Sequence, residues 1–564
     1  MEILLFIFPL LCFLFFQFLG NKIDSKLLYI LNIFLICLSF VISIYLFLKL
    51  LYFENDLPLY FLQIISSEYL FIDWSLRLDL FVSGLILIIN FFGSVFTIYL
   101  TNFNKDNVTN FDIIKISQLL IFGTLTLISS NNLIQFFVGW QIIILSSYLV
   151  SNMSRKQNHF QNDGNTFLFN RLSDLGVFLC LFFLYSYTNS FKFDAILESN
   201  YLSKSIKLFL FNIEFSNFEF ILFVLFFSFL LRIRQFFAKN SKYHFLKINF
   251  SIIALLYSGV YLPSGIYFLV RFLPLVQSNY NFFNLIILLG FILTILFTLL
   301  LFTSKDLKSL ALYVASSQFS IIILLTGLKI YNGVFFYLLT STLSVTMLFL
   351  SFAIIIKKLN GEYQINKMGS LLFKTPSTFL FTLISYFSLI GVPFFSGFYS
   401  KKLILYSMLS FNKVGLFIPI IICFCYIFIL SYILFKMILI VFLCQNNCNI
   451  HLYNKINEKM ILIKTVLFIL AICLTFSGWF LNNLFSGSNP EYLWNLVLNV
   501  NSDISIKKES QIYERFIIYT NIICLLGFLL SIFNYVIIPK FGNNIKIKHN
   551  KLFKKYTSYF SSNS

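Results

Sequence analysis

The sequence predicts an all-α fold: a polytopic membrane bundle of about 15 transmembrane helices. Three observations carry that reading. Apolar runs of about 20 residues recur from end to end, each long enough to span ~30 Å of hydrocarbon as a helix. The composition is 59% hydrophobic and only 11% charged, with a mean hydropathy of +0.87, outside the range of soluble globular domains. The charges that do occur sort by sign between alternate loops. In lipid the backbone must satisfy its own hydrogen bonds, and helices do so one at a time.

Taken in order, helices are expected at 2–19, 27–52, 78–101, 113–130, 132–152, 165–188, 217–238, 249–271, 281–303, 308–328, 331–357, 372–398, 413–444, 459–483 and 515–538. The first starts at Met1 with no basic n-region or small-residue cleavage site, so it reads as a mature helix and not a signal peptide. Between the second and third, "LYFLQIISSEYLFIDWSLRLDLF" alternates, and residues 59–77 read as an extended hairpin on the surface.

Loop charge sets the orientation. Segment 53–77 has a net charge of −3 (Glu54, Asp56, Glu68 and Asp73 against Arg77) and segment 484–514 a net −2. Both follow even-numbered helices. Loops after odd-numbered helices are basic: Lys239, Lys242 and Lys247, then Lys357, Lys358, Lys367 and Lys374 against Glu362. The tail adds Lys540, Lys546, Lys548, Lys551, Lys554 and Lys555. The N-terminus is therefore expected on the outer side and the C-terminus on the inner side.

The net charge of +19 would suggest nucleic acid in a soluble protein; here most of the lysines lie in loops and report topology. The nine cysteines lack metal spacing and read as small packing residues. The histidines (His159, His244, His451, His549) all fall in loops or the tail, so haem ligation and histidine relays inside the membrane are not expected. Heavy use of Phe (77) and Tyr (31), with Ile, Asn and Lys, matches A/T-rich codons and a compact organellar genome.

Ionisable residues at membrane depth are costly and point to function. The candidates are Arg171 and Asp174, three apart on one helix face in "FNRLSDLG"; Arg232 and Arg234 in "FLLRIRQFF"; Lys401 and Lys402 after "GVPFFSGFYS"; Lys436; and Arg271. Two helices carry break signals. Helix 12 contains Gly391, Pro393 and Gly397, and helix 7 gives way after Arg232 to the polar "AKNSKYH". An odd offset of five between broken helices is the mark of an inverted repeat, with the breaks near the midplane carrying an ion site. Two ordinary kinks with snorkelling cations would produce the same pattern. The expected division is 1–112 (N-terminal helices and hairpin), 113–271 and 281–444 (two inverted five-helix repeats), and 445–564 (C-terminal helices and basic tail).

These residues resemble NADH dehydrogenase subunit 5, the distal antiporter-like membrane subunit of proton-pumping NADH:ubiquinone oxidoreductase (respiratory complex I). "RLDLF" at 77–81 is similar to that family's R-L-D-x-L, and "NNLIQFFVGWQIIILSSYL" to its N-L-L-x-x-F-x-G-W-E-x-x-G-x-x-S-Y-L. "NRLSDLG" resembles N-R-x-G-D-x-G, and "SKDLKSLALYVASSQFSI" resembles D-L-K-x-x-x-A-Y-S-T-x-S-Q, which brings Lys308 among the candidates. "GVPFFSGFYSKKLIL" resembles G-x-P-x-x-x-G-F-x-S-K-D-x-I. The order and spacing hold over roughly residues 60–445.

The chain departs from the family at its titratable positions. Gln141 stands where the family has glutamate, and Arg232, aligned through Gln235, where it has the lysine of broken helix 7. Tyr257 replaces a histidine of helix 8; Tyr337, Ser341 and Val345 replace two histidines and a lysine of helix 11. Lys401 keeps its type, and the aspartate after it is Lys402. A relay needs groups whose proton affinity can move across the working range. Gln has no such proton, Arg holds its own at a pKa above ~12, and Tyr starts near ~10. The first half-channel is thus expected to keep a cation, Arg232, paired with Asp174, and to lose its switch. Gln141 is expected to keep the glutamate's shape and hydrogen bonding without its charge.

The resemblance implies a mitochondrial inner-membrane subunit with its N-terminus facing the intermembrane space and its C-terminus the matrix. Its partners would be other membrane-arm subunits, above all the neighbouring antiporter-like one, with accessory subunits and lipids. NAD, FMN, Fe–S clusters and ubiquinone would sit in other subunits; nothing here resembles a dinucleotide fingerprint or Fe–S spacing. The family's lateral helix and last anchoring helix are expected to be missing, since about 25 residues follow the last span. Two alternatives share these features: a subunit of a multi-protein Na⁺/H⁺ antiporter, and a membrane-arm scaffold without transport.

Overall fold

The computed structural model describes residues 2–20, 24–53, 57–66, 71–103, 108–153, 163–199, 207–210, 213–234, 250–272, 280–410, 417–448, 450–458, 461–486 and 510–537. The chain opens with α1 (Leu4–Leu19) and α2 (Ser25–Phe53), then a hairpin of β1 (Leu57–Ser66) and β2 (Phe71–Leu78). Next come α3 (Leu80–Phe103), α4 (Val108–Ile128), α5 (Leu133–Met153), α6 (Asp163–Thr188) and a short α7 (Phe193–Ser199). A small second hairpin, β3 (Lys207–Leu210) and β4 (Ile213–Ser216), leads into α8 (Asn217–Arg234). The central helix α9 (Phe250–Phe272) relaxes into a π-helical stretch at Leu256–Tyr261.

The second part runs through α10 (Tyr280–Phe302), α11 (Leu307–Gly327), α12 (Tyr331–Lys358), α13 (Pro376–Ile390) and α14 (Ser396–Ser410). It ends with α15 (Phe417–Ile438), α16 (Ile450–Lys455), α17 (Ile461–Ser486) and α18 (Ser510–Ile532). Among the described residues, 12 helices are long and apolar enough to cross a membrane; Leu4–Leu19, Glu219–Leu231 and Pro376–Ile390 are shorter apolar helices. The molecule is an all-α polytopic membrane bundle.

The expected spans overlap helices among the described residues; the one expected at 372–398 holds α13 and the break after it, and most of α14 lies beyond its expected end. The expected hairpin at 59–77 forms as β1 and β2, antiparallel, with Leu57 opposite Leu78 and two register shifts. The second hairpin and α7 are additions, placed where the chain crosses from α6 to α8. The polar "AKNSKYH", most of the acidic segment 484–514 and the basic tail beyond residue 537 lie outside the described residues.

Burial sorts the helices into a centre and a rim. The spans Phe250–Phe272 and Leu307–Gly327 are wholly buried, and Tyr331–Lys358 is nearly so, whereas Ile518–Tyr535 is 17% buried. So α9, α11 and α12 form the core. The outer helices turn Leu, Ile and Phe outward, as a hydrocarbon solvent allows, since lipid tails are as apolar as those side chains.

Candidate functional site

The break between α13 and α14 is built from local chemistry. Gly391 takes a left-handed conformation (φ +91°), the usual glycine end of a helix, and its N–H bonds back to the Phe387 carbonyl. Val392 N–H reaches the same carbonyl at 2.9 Å. Gly397 lets α14 start against the last turn of α13: a Cβ there would stand 1.8 Å from the Ser388 carbonyl oxygen. The Ser388 and Ser396 hydroxyls face each other across the gap at 3.1 Å.

Lys401, one turn into α14, donates from Nζ to the Leu389 carbonyl. The last carbonyls of a helix have no intrahelical donor, and its C-terminus carries partial negative charge, so an ammonium is stabilised there. Lys401 also lines a small cavity with Tyr337, Tyr426, Cys423, Ile321 and Ile404.

The cavity's polar wall is a chain of buried hydrogen bonds. Tyr337 of α12 donates to Gln318 Oε1 of α11. Gln318 Nε2 donates to the Tyr426 hydroxyl of α15 at 2.6 Å, and that hydroxyl lies 3.3 Å from Ser317 Oγ. Close by, Thr340 Oγ1 donates to Ser400 Oγ at 2.9 Å, tying α12 to α14. Tyr257, within the π-helical stretch of α9, donates to the Ala315 carbonyl, so three helices lend phenols to the region around α11. Val345, fully buried, adds only packing, and Ser341 turns its hydroxyl onto its own helix at the Leu338 carbonyl.

Lys308 is buried in the first turn of α11, with its Nζ 5.8 Å from the centre of the Tyr363 ring. Ten residues separate it from Gln318, roughly 15 Å along a helix, so it stands apart from the tyrosine cluster.

In the first half, Asp174 is a buried carboxylate on α6. It accepts from Trp140 Nε1 at 3.2 Å and from Arg171 Nη1 at 3.4 Å. Gln141, the next residue after Trp140, points away from that contact. It is half-buried and shares a face of α5 with the exposed Leu145 and Tyr148. Helices α6 and α8 pack antiparallel: Gly176 meets Ser228, and Cys180 Sγ faces the Ile221 carbonyl at 3.2 Å. That register sets the Arg232 backbone level with residue 172. The side chain of Arg232, and with it the expected pair with Asp174, lies outside the described residues.

Four participants were not singled out from sequence. Trp140 and Gln318 lie within recognisable motifs, "GW" and "SSQ", and could have been chosen. Tyr426, in "CFCYIF", and Glu458 carry no local signal. Glu458, ahead of α17, caps α13 from a distance: it accepts from Ser377 Oγ at 2.6 Å and Thr378 N–H at 3.1 Å. Among the described residues, no three His, Cys, Asp or Glu side chains gather closely enough to hold a metal ion.

Comparison with known proteins gives a consistent result. The chain is 24% identical over 502 residues to NADH-ubiquinone oxidoreductase chain 5 of Acanthamoeba castellanii, covering 87% of this chain and 72% of that one. It is 30% identical over 294 residues to the chain of the same name from Papio hamadryas, covering 51% and 46%. It is 26% identical to NADH-quinone oxidoreductase subunit L of Rickettsia typhi, covering 68% and 58%. The chain thus spans roughly half to seven tenths of the length of these relatives. A solved Mrp complex from Dietzia sp. DQ12-45-1b superposes with a TM-score of 0.71 at 13% identity, covering all of this chain and 59% of that one, a likeness of fold. The family described as NADH:quinone oxidoreductase/Mrp antiporter, TM, matches residues 130–429, which hold both the Asp174 contact and the Lys401 break; the chain belongs to that family.

Proposed function

We propose that the chain is a core membrane-arm subunit of a proton-pumping NADH:ubiquinone oxidoreductase, and that it carries a proton through its second half only. One observation carries the proposal: Lys401 rests on the broken end of α13 beside a cavity walled by Tyr337 and Tyr426. A lysine there can give up and regain a proton, and buried hydroxyls can order water beside it. Among the described residues of the first half, the Gln141 and Asp174 positions offer no such switch. Gln141 cannot titrate, and Asp174 is engaged by Trp140 and Arg171.

The proposal includes two inverted five-helix repeats, 113–271 and 281–444, with α13 and α14 as the broken member of the second. It also includes a mitochondrial inner-membrane location, the N-terminus toward the intermembrane space and the C-terminus toward the matrix, and contact with the neighbouring antiporter-like subunit. The relatives, subunits of NADH:quinone oxidoreductases by name, favour this reading over an autonomous Na⁺/H⁺ exchanger.

Three measurements test it. The chain should co-migrate with NADH:quinone activity on native electrophoresis; migration alone, with full stability, would count against it. Protons moved per NADH in sealed vesicles should be fewer than in complexes with the full titratable set. Orientation is checked by proteolysis of the tail from each side of the membrane.

A further inference from the structure

The turn between α4 and α5 lies between two other pieces of chain. On one side, Arg77 N–H of β2 bonds to the Ser129 carbonyl at 2.9 Å, and Leu76 bridges Ser130. On the other, Leu133 N–H reaches the Phe191 carbonyl at 3.0 Å, Phe193 N–H reaches the Asn131 carbonyl at 3.2 Å, and Asn132 bridges Lys192. Three extended segments thus make a small lid over the first half of the bundle.

Charges bind the lid together and continue beneath it. Lys192 pairs with Asp73 at 3.3 Å, and Arg77 pairs with Asp194. Arg77 Nε also reaches Asp79 at 3.1 Å, and Arg271, at the end of α9, reaches the other oxygen of Asp79 at 2.7 Å. Side-chain exposure falls from 60% at Asp194 to 19% at Arg77 and 2% at Asp79, so the ladder runs from solvent into the bundle.

Under the lid, buried polar atoms lack a partner among the described residues: Arg271 Nε and Nη2, both amide atoms of Gln135, Asn132 Oδ1 and Asp73 Oδ1. Buried donors and acceptors left unmet are costly, and water meets them with two to four bonds each. Among the described residues the ion-paired charges cancel, three cations (Arg77, Lys192, Arg271) against three carboxylates (Asp73, Asp79, Asp194). A free ion of either sign would be left uncompensated, so the site favours water.

We infer that this buried polar cluster holds ordered water and forms an outer mouth over the first half of the bundle, with the Arg77–Asp194 pair as the element that opens. This rests on the orientation proposed above and is separate from the Lys401 path, which lies in the second half. The choice of pair follows from burial. An ion pair with an exposed partner holds weakly and parts readily, whereas parting the buried Asp79–Arg271 pair would strand two charges.

The test uses the full chain in membrane vesicles, with a Gln135→Cys substitution and a small membrane-impermeant thiosulfonate added from the outer side; labelling of the native cysteines is subtracted. Labelling should be slow with Asp194 in place and at least tenfold faster with Asp194→Ala added. An unchanged rate, or equally fast labelling from the inner side, overturns the inference. Should Gln135→Cys fail to assemble, hydrogen–deuterium exchange at the 129–133 amides, with and without Asp194→Ala, decides instead: tenfold faster exchange supports the mouth and unchanged exchange overturns it. Neither readout needs proton pumping, so a failed labelling experiment in an active complex rejects the mouth alone, while loss of co-purifying NADH:quinone activity rejects the functional proposal alone.

Discussion

Lys401 and Leu389 lie on opposite sides of the helix break, and the ammonium of one is held by the carbonyl of the other. The contact joins α14 to the end of α13 and puts the cation where two half-helices meet. Lys401→Gln keeps a donor for the carbonyl but removes the titratable group. It should leave assembly largely intact, at a stability cost of about 1 kcal/mol from the lost charge at a helix C-terminus. Protons pumped per NADH should fall. Unchanged stoichiometry in sealed vesicles would reject Lys401 as a carrier.

Gly397 makes this geometry available. Gly397→Ala would set a methyl group 1.8 Å from the Ser388 carbonyl oxygen, a backbone atom that cannot swing aside. A cost at or above the ~1–3 kcal/mol typical of overpacking is expected. Thermal inactivation of the assembled complex measures it, and a variant as stable as the parent would show that the two half-helices can separate.

The Tyr337–Gln318–Tyr426 chain should behave as one unit. Tyr337→Phe leaves Gln318 Oε1 buried without its donor, and Tyr426→Phe leaves Gln318 Nε2 without its acceptor; each should cost about 1–3 kcal/mol. With Gln318→Leu present, either change should cost much less, a coupling on the order of 0.5–3 kcal/mol. Strictly additive losses in stability would mean that the three side chains act independently.

Trp140 and Gln141 are neighbours with different expected consequences. Trp140→Phe keeps the ring packing and loses the bond to the Asp174 carboxylate, at about 1.5–3 kcal/mol for a bond to a charged group. Gln141→Ala, on the half-buried face, should cost about 1 kcal/mol or less. Denaturation of both variants gives the order, and a reversal would place the glutamine at the centre of the first half after all.

Glu458 ties the α13 N-terminus to the segment entering α17, with Lys464 at 3.2 Å on its other oxygen. Glu458→Ala should cost about 1–2 kcal/mol, as loss of a helix cap does. Glu458→Gln, which retains an acceptor oxygen, should cost less. Faster proteolysis in the 364–375 segment is the accompanying sign, and equal stability of both variants would remove the capping role.

Several features were legible in the sequence because they are local. Span length follows from the thickness of hydrocarbon, so each helix is set by its own run of residues. The break after Ile390 follows from Gly391, Pro393 and Gly397 within seven positions, and the hairpin from its alternation. Side-chain partners were not legible. At lipid depth a helix is apolar on both its buried and its lipid-facing sides, so no amphipathic stripe marks which face turns inward. Rotation about the α5 axis puts Trp140, and not Gln141, against Asp174, and packing against α6 decides that rotation. Tyr426 meets Gln318 across 108 positions, and Glu458 meets Ser377 across 81. Contacts of that kind depend on which helices become neighbours, and only the packed bundle settles it.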